Sequence, residues 1–153
     1  MELRPMRIGE EAEVCNLALR VFDQFVAPQF SSDGRREFQS YADHHLLRLR
    51  SRWNHLVLLA VADDAIAGMI EVRDDGHVTL FFVDGEFQGE GVGGELLRRS
   101  LSICKSRKPD LLQATVNSSP NAVAIYERLG FRKTREERAE DHIRSVPMVL
   151  DLR

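Results

Sequence analysis

The chain has 153 residues, of which 43% are hydrophobic and 29% charged, the proportions of one ordinary globular domain. A formal charge of −3 and a sequence pI near 6.0 argue against a surface built to coat nucleic acid. No apolar run reaches membrane-spanning length, and the opening MELRPMRIGE lacks the apolar centre of a signal peptide.

Two cysteines, Cys15 and Cys104, both fall inside helical patterns. They read as buried thiols of a reducing compartment rather than a disulfide framework, so a cytoplasmic location is expected.

In chain order, LRPMRI (3–8) predicts a short strand. Val14, Leu17, Ala18, Val21, Phe22 and Phe25 then recur at helical spacing. Pro28 and SSDG (31–34) interrupt the chain, and a second helical stretch is predicted over roughly 35–50. The period then changes. HLVLLAVADD (55–64), AIAGMIEVRDDG (65–76) and HVTLFFVDG (77–85) predict three strands joined by tight turns, an antiparallel meander.

A glycine-rich stretch, 85–94, opens a helix running to about Lys105, with Val92, Leu96, Leu97, Leu101 and Cys104 on its apolar side. LLQATVN (111–117) follows as a strand. Ser119 and Pro120 start a helix that Gly130 stops. The charged stretch KTREERAED (133–141) leads to a last strand near 145–152. No repeat or interdomain linker interrupts the pattern. Residues 1–153 are expected to form one α+β domain around a mixed sheet.

A strand that ends in glycines and feeds a helix presents free backbone N–H groups at the positive end of the helix dipole, a site for diphosphate. Tight turning and close helix packing would also explain the glycines. Gly89, Gly91 and Gly94 spell G-x-G-x-x-G, but a dinucleotide fold needs a repeated βαβ unit, and only about sixty residues follow. A nucleoside triphosphate loop needs G-K-[S/T], which is absent here.

In another register the same loop reads Q-x-x-G-x-G, from Gln88 to Gly93, and it follows a hydrophobic strand ending LFFV. About thirty residues later comes NSSPNAVAIYERLGF (117–131). In these two stretches, and in the two helices ahead of the meander, the chain resembles the GNAT superfamily of acyl-CoA-dependent N-acetyltransferases.

The resemblance implies a mostly antiparallel central sheet, helices on both faces, and a splay between the strands at 78–83 and 112–117. It implies acetyl-CoA as cofactor. Gln88, Gly89, Glu90, Gly91, Val92, Gly93 and Gly94 would hold the diphosphate of coenzyme A. Phe82 and Val83 would pair with the pantetheine amides, as an open strand edge can, with Asn117 and Asn121 bonding the same arm. Turn and cap chemistry is the alternative for both asparagines, and a close one for Asn121.

Tyr126 would protonate the departing thiolate, its alternative being a half-buried core residue. The reaction implied is direct attack by a neutral amine, which requires a base. Glu71, in GMIEVRD on the middle meander strand, is the first candidate, against a plain alternation residue. His77, Asp84, Glu86 and His142 stand behind it. A backbone N–H near Val83 would polarise the thioester oxygen.

Glu90 departs from the basic or small residue often found there. Glu95 follows it, with Arg98, Arg99 and Lys133 as available counter-charges. Cys104 reads as packing rather than a nucleophile, and His44 and His45 as solvent and core residues rather than metal ligands. No metal is expected.

The implied partner is a small-molecule or peptide amine, with neither nucleic acid nor membrane involved. Dimers are common in that family, so a homodimer is one expected assembly. A non-catalytic acyl-CoA sensor of the same fold is the alternative function. The aromatics Phe25, Phe30, Phe38 and Tyr41 are placed where such folds shape the acceptor side, with core packing as the expected role for most of them.

Overall fold

The computed structural model describes residues 1–134, 138–140 and 143–153. Its elements run β1 (Glu2–Pro5), α1 (Glu11–Phe25), α2 (Ser32–Tyr41), α3 (His44–Trp53), β2 (His55–Ala62), β3 (Ala65–Arg73), β4 (His77–Val83), α4 (Val92–Arg107), β5 (Gln113–Ser118), α5 (Val123–Arg128), β6 (Arg132–Lys133), β7 (Arg138–Glu140) and β8 (Ile143–Asp151). Short 3₁₀ turns at Ala27–Gln29, Gly85–Phe87 and Pro120–Ala122 link them.

The meander forms as its alternation predicts, β2 pairing β3 and β3 pairing β4, all antiparallel. The sheet order is β1-β2-β3-β4-β5-β8-β6, with β7 also pairing β8. Among the described residues, only β4 and β5 pair in parallel. The fold is α+β, as expected.

The single helix predicted over 35–50 is two. Ser31 caps α2, its Oγ accepting from Gly34 N at 3.1 Å. Ala42 then leaves helical geometry, and the extended Asp43 starts α3 by accepting from His45 N and Leu46 N at 3.0 and 3.1 Å. An aspartate just ahead of a helical run is an N-cap signal, hidden here because the apolar spacing continues across it. His44 and His45 do not diverge as helical neighbours usually do; their rings lie 4.0 Å apart.

The helix predicted after Ser119 is shorter than expected. Pro120–Ala122 form a 3₁₀ turn, and α5 begins only at Val123. Ser119 Oγ bonds Asn121 Oδ1 at 2.8 Å rather than a backbone N–H.

Two apolar clusters sandwich the sheet. On one face α4 packs Leu96, Leu97 and Leu101 onto Ile70, Val72, Val78 and Val116. On the other, α1 and α3 pack Val14, Leu17, Val21 and Leu47 onto Leu59, Met69 and Leu80. Cys15 and Cys104 are both buried and free. Among the described residues, no helix is long and apolar enough to cross a membrane.

A register shift at Glu71/Val72 leaves Thr79 as an extra residue on β4. Such a bulge bends a strand and adds twist. It lies where β4 leaves β5: His77 pairs Thr115 and Val78 pairs Val116, and no pair follows. The sheet is split from Thr79 to Val83.

Candidate active site

The split opens into a cavity of about 1150 Å³ reaching both faces of the sheet. On the α4 side its wall includes Phe81, Val83, Gln88, Gly89, Gly91 and Tyr126. On the α1–α2 side it includes Phe22, Phe25, Phe30, Phe38, Tyr41 and Phe82.

Gly89 and Gly91 hold φ of +82° and +83°, a left-handed conformation that side chains rarely tolerate. Gly91 is the N-cap of α4. The first-turn N–H groups of Val92, Gly93 and Gly94 have no carbonyl one turn back within the helix, and all three residues line the cavity. Glu90 is exposed and absent from that wall, so its carboxylate does not crowd the cradle. Glu95 is paired with Arg98 at 2.8 Å and Arg99 at 3.9 Å, and the bond from Arg98 holds its carboxyl below the ordinary range. Lys133 is exposed. Arg128, which the sequence pattern did not single out, reaches the cavity wall.

Gln88 turns back on β4 and donates Nε2 to Val83 O at 2.9 Å, closing the strand end. Asn117 lines the cavity from β5, in register with Pro147 of β8. Asn121 also lines it, but its side chain is engaged elsewhere: Nδ2 donates to Phe25 O at 2.6 Å, while its backbone N–H meets Gln29 Oε1 at 3.4 Å. Asn121 thereby pins the α1–α2 connection across the mouth. This long-range bond has no local sequence signal.

Tyr126 sits half-buried between Phe81, 6.1 Å between ring centroids, and Phe131, 5.4 Å away. Its hydroxyl has no hydrogen-bond partner among the described residues. Burial raises the phenol above its ordinary pKa, so it stays protonated at neutral pH.

Glu71 does not meet the requirements of a base, which is a correction to the expectation above. It is fully buried and does not line the cavity. Arg50 grips it through Nε to Oε2 at 2.6 Å and Nη2 to Oε1 at 3.2 Å, and His55 Nδ1 lies 2.8 Å from Oε2. Burial by itself would raise this carboxyl, but the bonds from His55 and Arg50 outweigh it and hold the group below the usual range. With its lone pairs taken, Glu71 has no path to an amine. β-Strand alternation sent it to the α3 face, where Arg50 waits.

Among the other candidates, Asp84 caps Glu86 N at 3.0 Å and accepts from Arg20 at 2.5 Å. Neither Asp84 nor Glu86 lines the cavity. His142 lies outside the described residues. His77 does line the cavity, at the closed end of the split, with Nδ1 2.7 Å from Thr115 Oγ1. Burial, then the charge of Arg73, lowers its pKa, so the imidazole is neutral at pH 7.

A sheet split down its centre, with an unpaired strand edge leading to a glycine-lined helix N-terminus, defines an α+β scaffold for an extended, amide-bearing ligand with an anionic head. The model of the acetyltransferase (GNAT) domain matches residues 26–152, and the chain belongs to that family.

A GCN5-related N-acetyltransferase from Rhodopseudomonas palustris shares the fold with a TM-score of 0.83, at 19% identity over 99% of this chain and 95% of that one. The PaiA N-acetyltransferase of Thermoplasma acidophilum, solved with coenzyme A, gives 0.77 at 18% identity, covering 98% of each. An uncharacterized N-acetyltransferase of Methanocaldococcus jannaschii is 31% identical over 65 residues, which is 42% of this chain and 29% of that protein.

Proposed function

We propose that this protein, as a single domain over residues 1–153, transfers an acetyl group from acetyl-CoA to a primary amine by direct attack in a ternary complex. The observation that carries the reading is the β4 edge from Thr79 to Val83, unpaired toward β5 and ending at the glycine cradle of α4. The cofactor supplies an activated thioester carbonyl. Backbone N–H groups between Gln88 and Gly94 hold its diphosphate. The edge at Phe82 and Val83, with Asn117 across the gap, takes the amides of its arm. Asn121 serves the site indirectly by fixing the wall at Phe25. A backbone N–H of β4 near Val83 faces the oxygen on which negative charge develops.

An alkylammonium ion must lose a proton before it can attack. His77 is the acceptor we assign, reached through water along the cavity. Its imidazole is neutral and lines the cavity, while the length of β4 separates it from Val83. At the other side of the reacting bond, Tyr126 gives its proton to the leaving sulfur. The phenol is the weaker acid, so this transfer is driven by the basicity of a desolvated thiolate and by return of the proton to bulk solvent afterwards.

The reading is tested by thermal shift. Saturation with acetyl-CoA or CoA at 100 times Kd is expected to add about 2.7 kcal/mol, a rise of roughly 5–10 °C for a chain of this size. NADH and ATP are expected to do less. Absence of any CoA shift would mean that the loop is a packing turn. A shift without release of CoA thiol across amines would leave an acyl-CoA sensor.

The base assignment makes a separate prediction. A lowered histidine pKa means that the active, neutral form persists to acid pH, so kcat/KM of the native enzyme falls with acid only below about pH 6.5. His77→Gln is expected to lower kcat/KM by roughly 10²-fold or more and to remove that limb. An unchanged profile assigns the proton to water.

A further inference from the structure

Resting on the acetyl-CoA reading above, we propose that the acceptor is a small arylalkyl primary amine, bearing one ammonium on an aromatic carrier, rather than a polyamine or an aminoglycoside. The half of the cavity left to the acceptor is the α1–α2 side, because the glycine cradle and Tyr126 occupy the other.

That half is built of aromatic rings. Phe22 and Phe38 stack at 3.9 Å, Phe30 meets Phe22 edge-on at 5.1 Å, and Phe82 meets Phe38 edge-on at 5.7 Å. Phe25 stays 45% exposed, the one ring of this set left largely open. An incoming ring can add to this edge-and-face arrangement, which favours another aromatic over a hydrated polar surface.

Charge decides against the alternatives. Among the described residues, Glu37 is the one carboxylate lining the cavity, and it is exposed at the rim. The cations there are Arg73, paired to Asp75 at 2.8 Å, and Arg128. A ligand with three or four ammonium groups would lose their hydration and find one counter-charge, and unpaired charge is costly to desolvate. A ligand with one ammonium needs only Glu37 on entry, and it gives up that charge before reaction.

The wall is also fixed rather than adaptable. Asn121 anchors it at Phe25 O, and Arg50 anchors it at Tyr41, donating Nη1 to Tyr41 O at 2.9 Å with its guanidinium 3.7 Å over the ring. A rigid apolar wall selects by shape and burial.

The test measures CoA thiol release at saturating acetyl-CoA with 2-phenylethylamine, tryptamine, spermidine, kanamycin and a peptide with an N-terminal alanine. The arylalkylamines are expected to exceed the others in kcat/KM by about 10–100-fold. Phe38→Leu, which keeps an apolar side chain but removes the ring, is expected to raise KM for the arylalkylamines about tenfold with little change for the peptide. Preference for spermidine, kanamycin or the peptide overturns the proposal, as does an equal KM change for every amine. A CoA-induced thermal shift with no arylalkylamine turnover overturns the acceptor alone, whereas loss of the CoA shift overturns the cofactor reading as well.

Discussion

Arg50→Met is expected to destabilise the fold by about 3–5 kcal/mol, because it leaves the buried Glu71 carboxylate with His55 as its one remaining partner among the described residues. At roughly 2–4 °C per kcal/mol that is a fall in Tm of about 6–20 °C at pH 7. Glu71 is fully buried, and it lies against the guanidinium at 2.6 and 3.2 Å. Arg50 also ties the C-terminal turn of α2 through Tyr41 O, so the loss reaches the α1–α2 wall of the cavity.

The pH dependence follows from the direction of the Glu71 shift. Its folded-state pKa is depressed, so its contribution is present above the unfolded value, near 4.3, and is lost as pH falls through the folded value. In Arg50→Met the His55 contact remains but the lowering by Arg50 is lost, so burial weighs more and the carboxyl titrates higher than in the native protein. The folded variant then gains a proton more readily than the native fold does. The difference between the two proteins is therefore expected to narrow below about pH 5.

Melting curves from pH 4 to 8 check this, together with Arg50→Met/Glu71→Leu. The double variant, free of the stranded charge, is expected to recover most of the loss. A gap constant with pH would show that packing by the Arg50 stem, not its charge, is what matters.

Tyr126→Phe is expected to lower kcat by roughly 10²–10⁴-fold, about 2.7–5.5 kcal/mol at 1.36 kcal/mol per tenfold. Binding should survive. The ring keeps its edge contacts with Phe81 and Phe131, and the hydroxyl has no protein partner to lose among the described residues. The CoA-induced thermal shift is thus expected to match that of the native protein, and KM for the amine to change little. Retention of kcat would place the proton donor elsewhere and return Tyr126 to a packing role. A fall in kcat accompanied by loss of the CoA shift would point to a binding defect instead.

These two residues show what could be read without a structure and what could not. The meander, the strand-to-helix passage at Gln88–Gly94 and the helix ending at Gly130 were legible because each is local. Strand alternation, a glycine-lined turn and a C-terminal stop are written in consecutive residues. Tyr126 was legible for the same reason, since its place on α5 follows from its spacing to Gly130. Two helix boundaries were misplaced. Asp43 competes with the helical spacing around it, and Pro120 allows one tight turn before the true helix begins.

Glu71 was misassigned because strand alternation gives a face but not what covers it. Arg50 is 21 residues away in sequence and meets it only when α3 folds onto the sheet. The same limit hid the role of Asn121, whose partner Phe25 is 96 residues distant, and the bulge at Thr79 that helps part β4 from β5. The sequence by itself determined the elements, the glycine-lined passage into α4 and the place of Tyr126 on α5, because those depend on neighbours along the chain. Only the tertiary structure decided which carboxylate is sealed, which histidine faces the cavity and how aromatic the cavity's α1–α2 wall is. Burial and charge pairing are properties of surfaces that distant segments bring together.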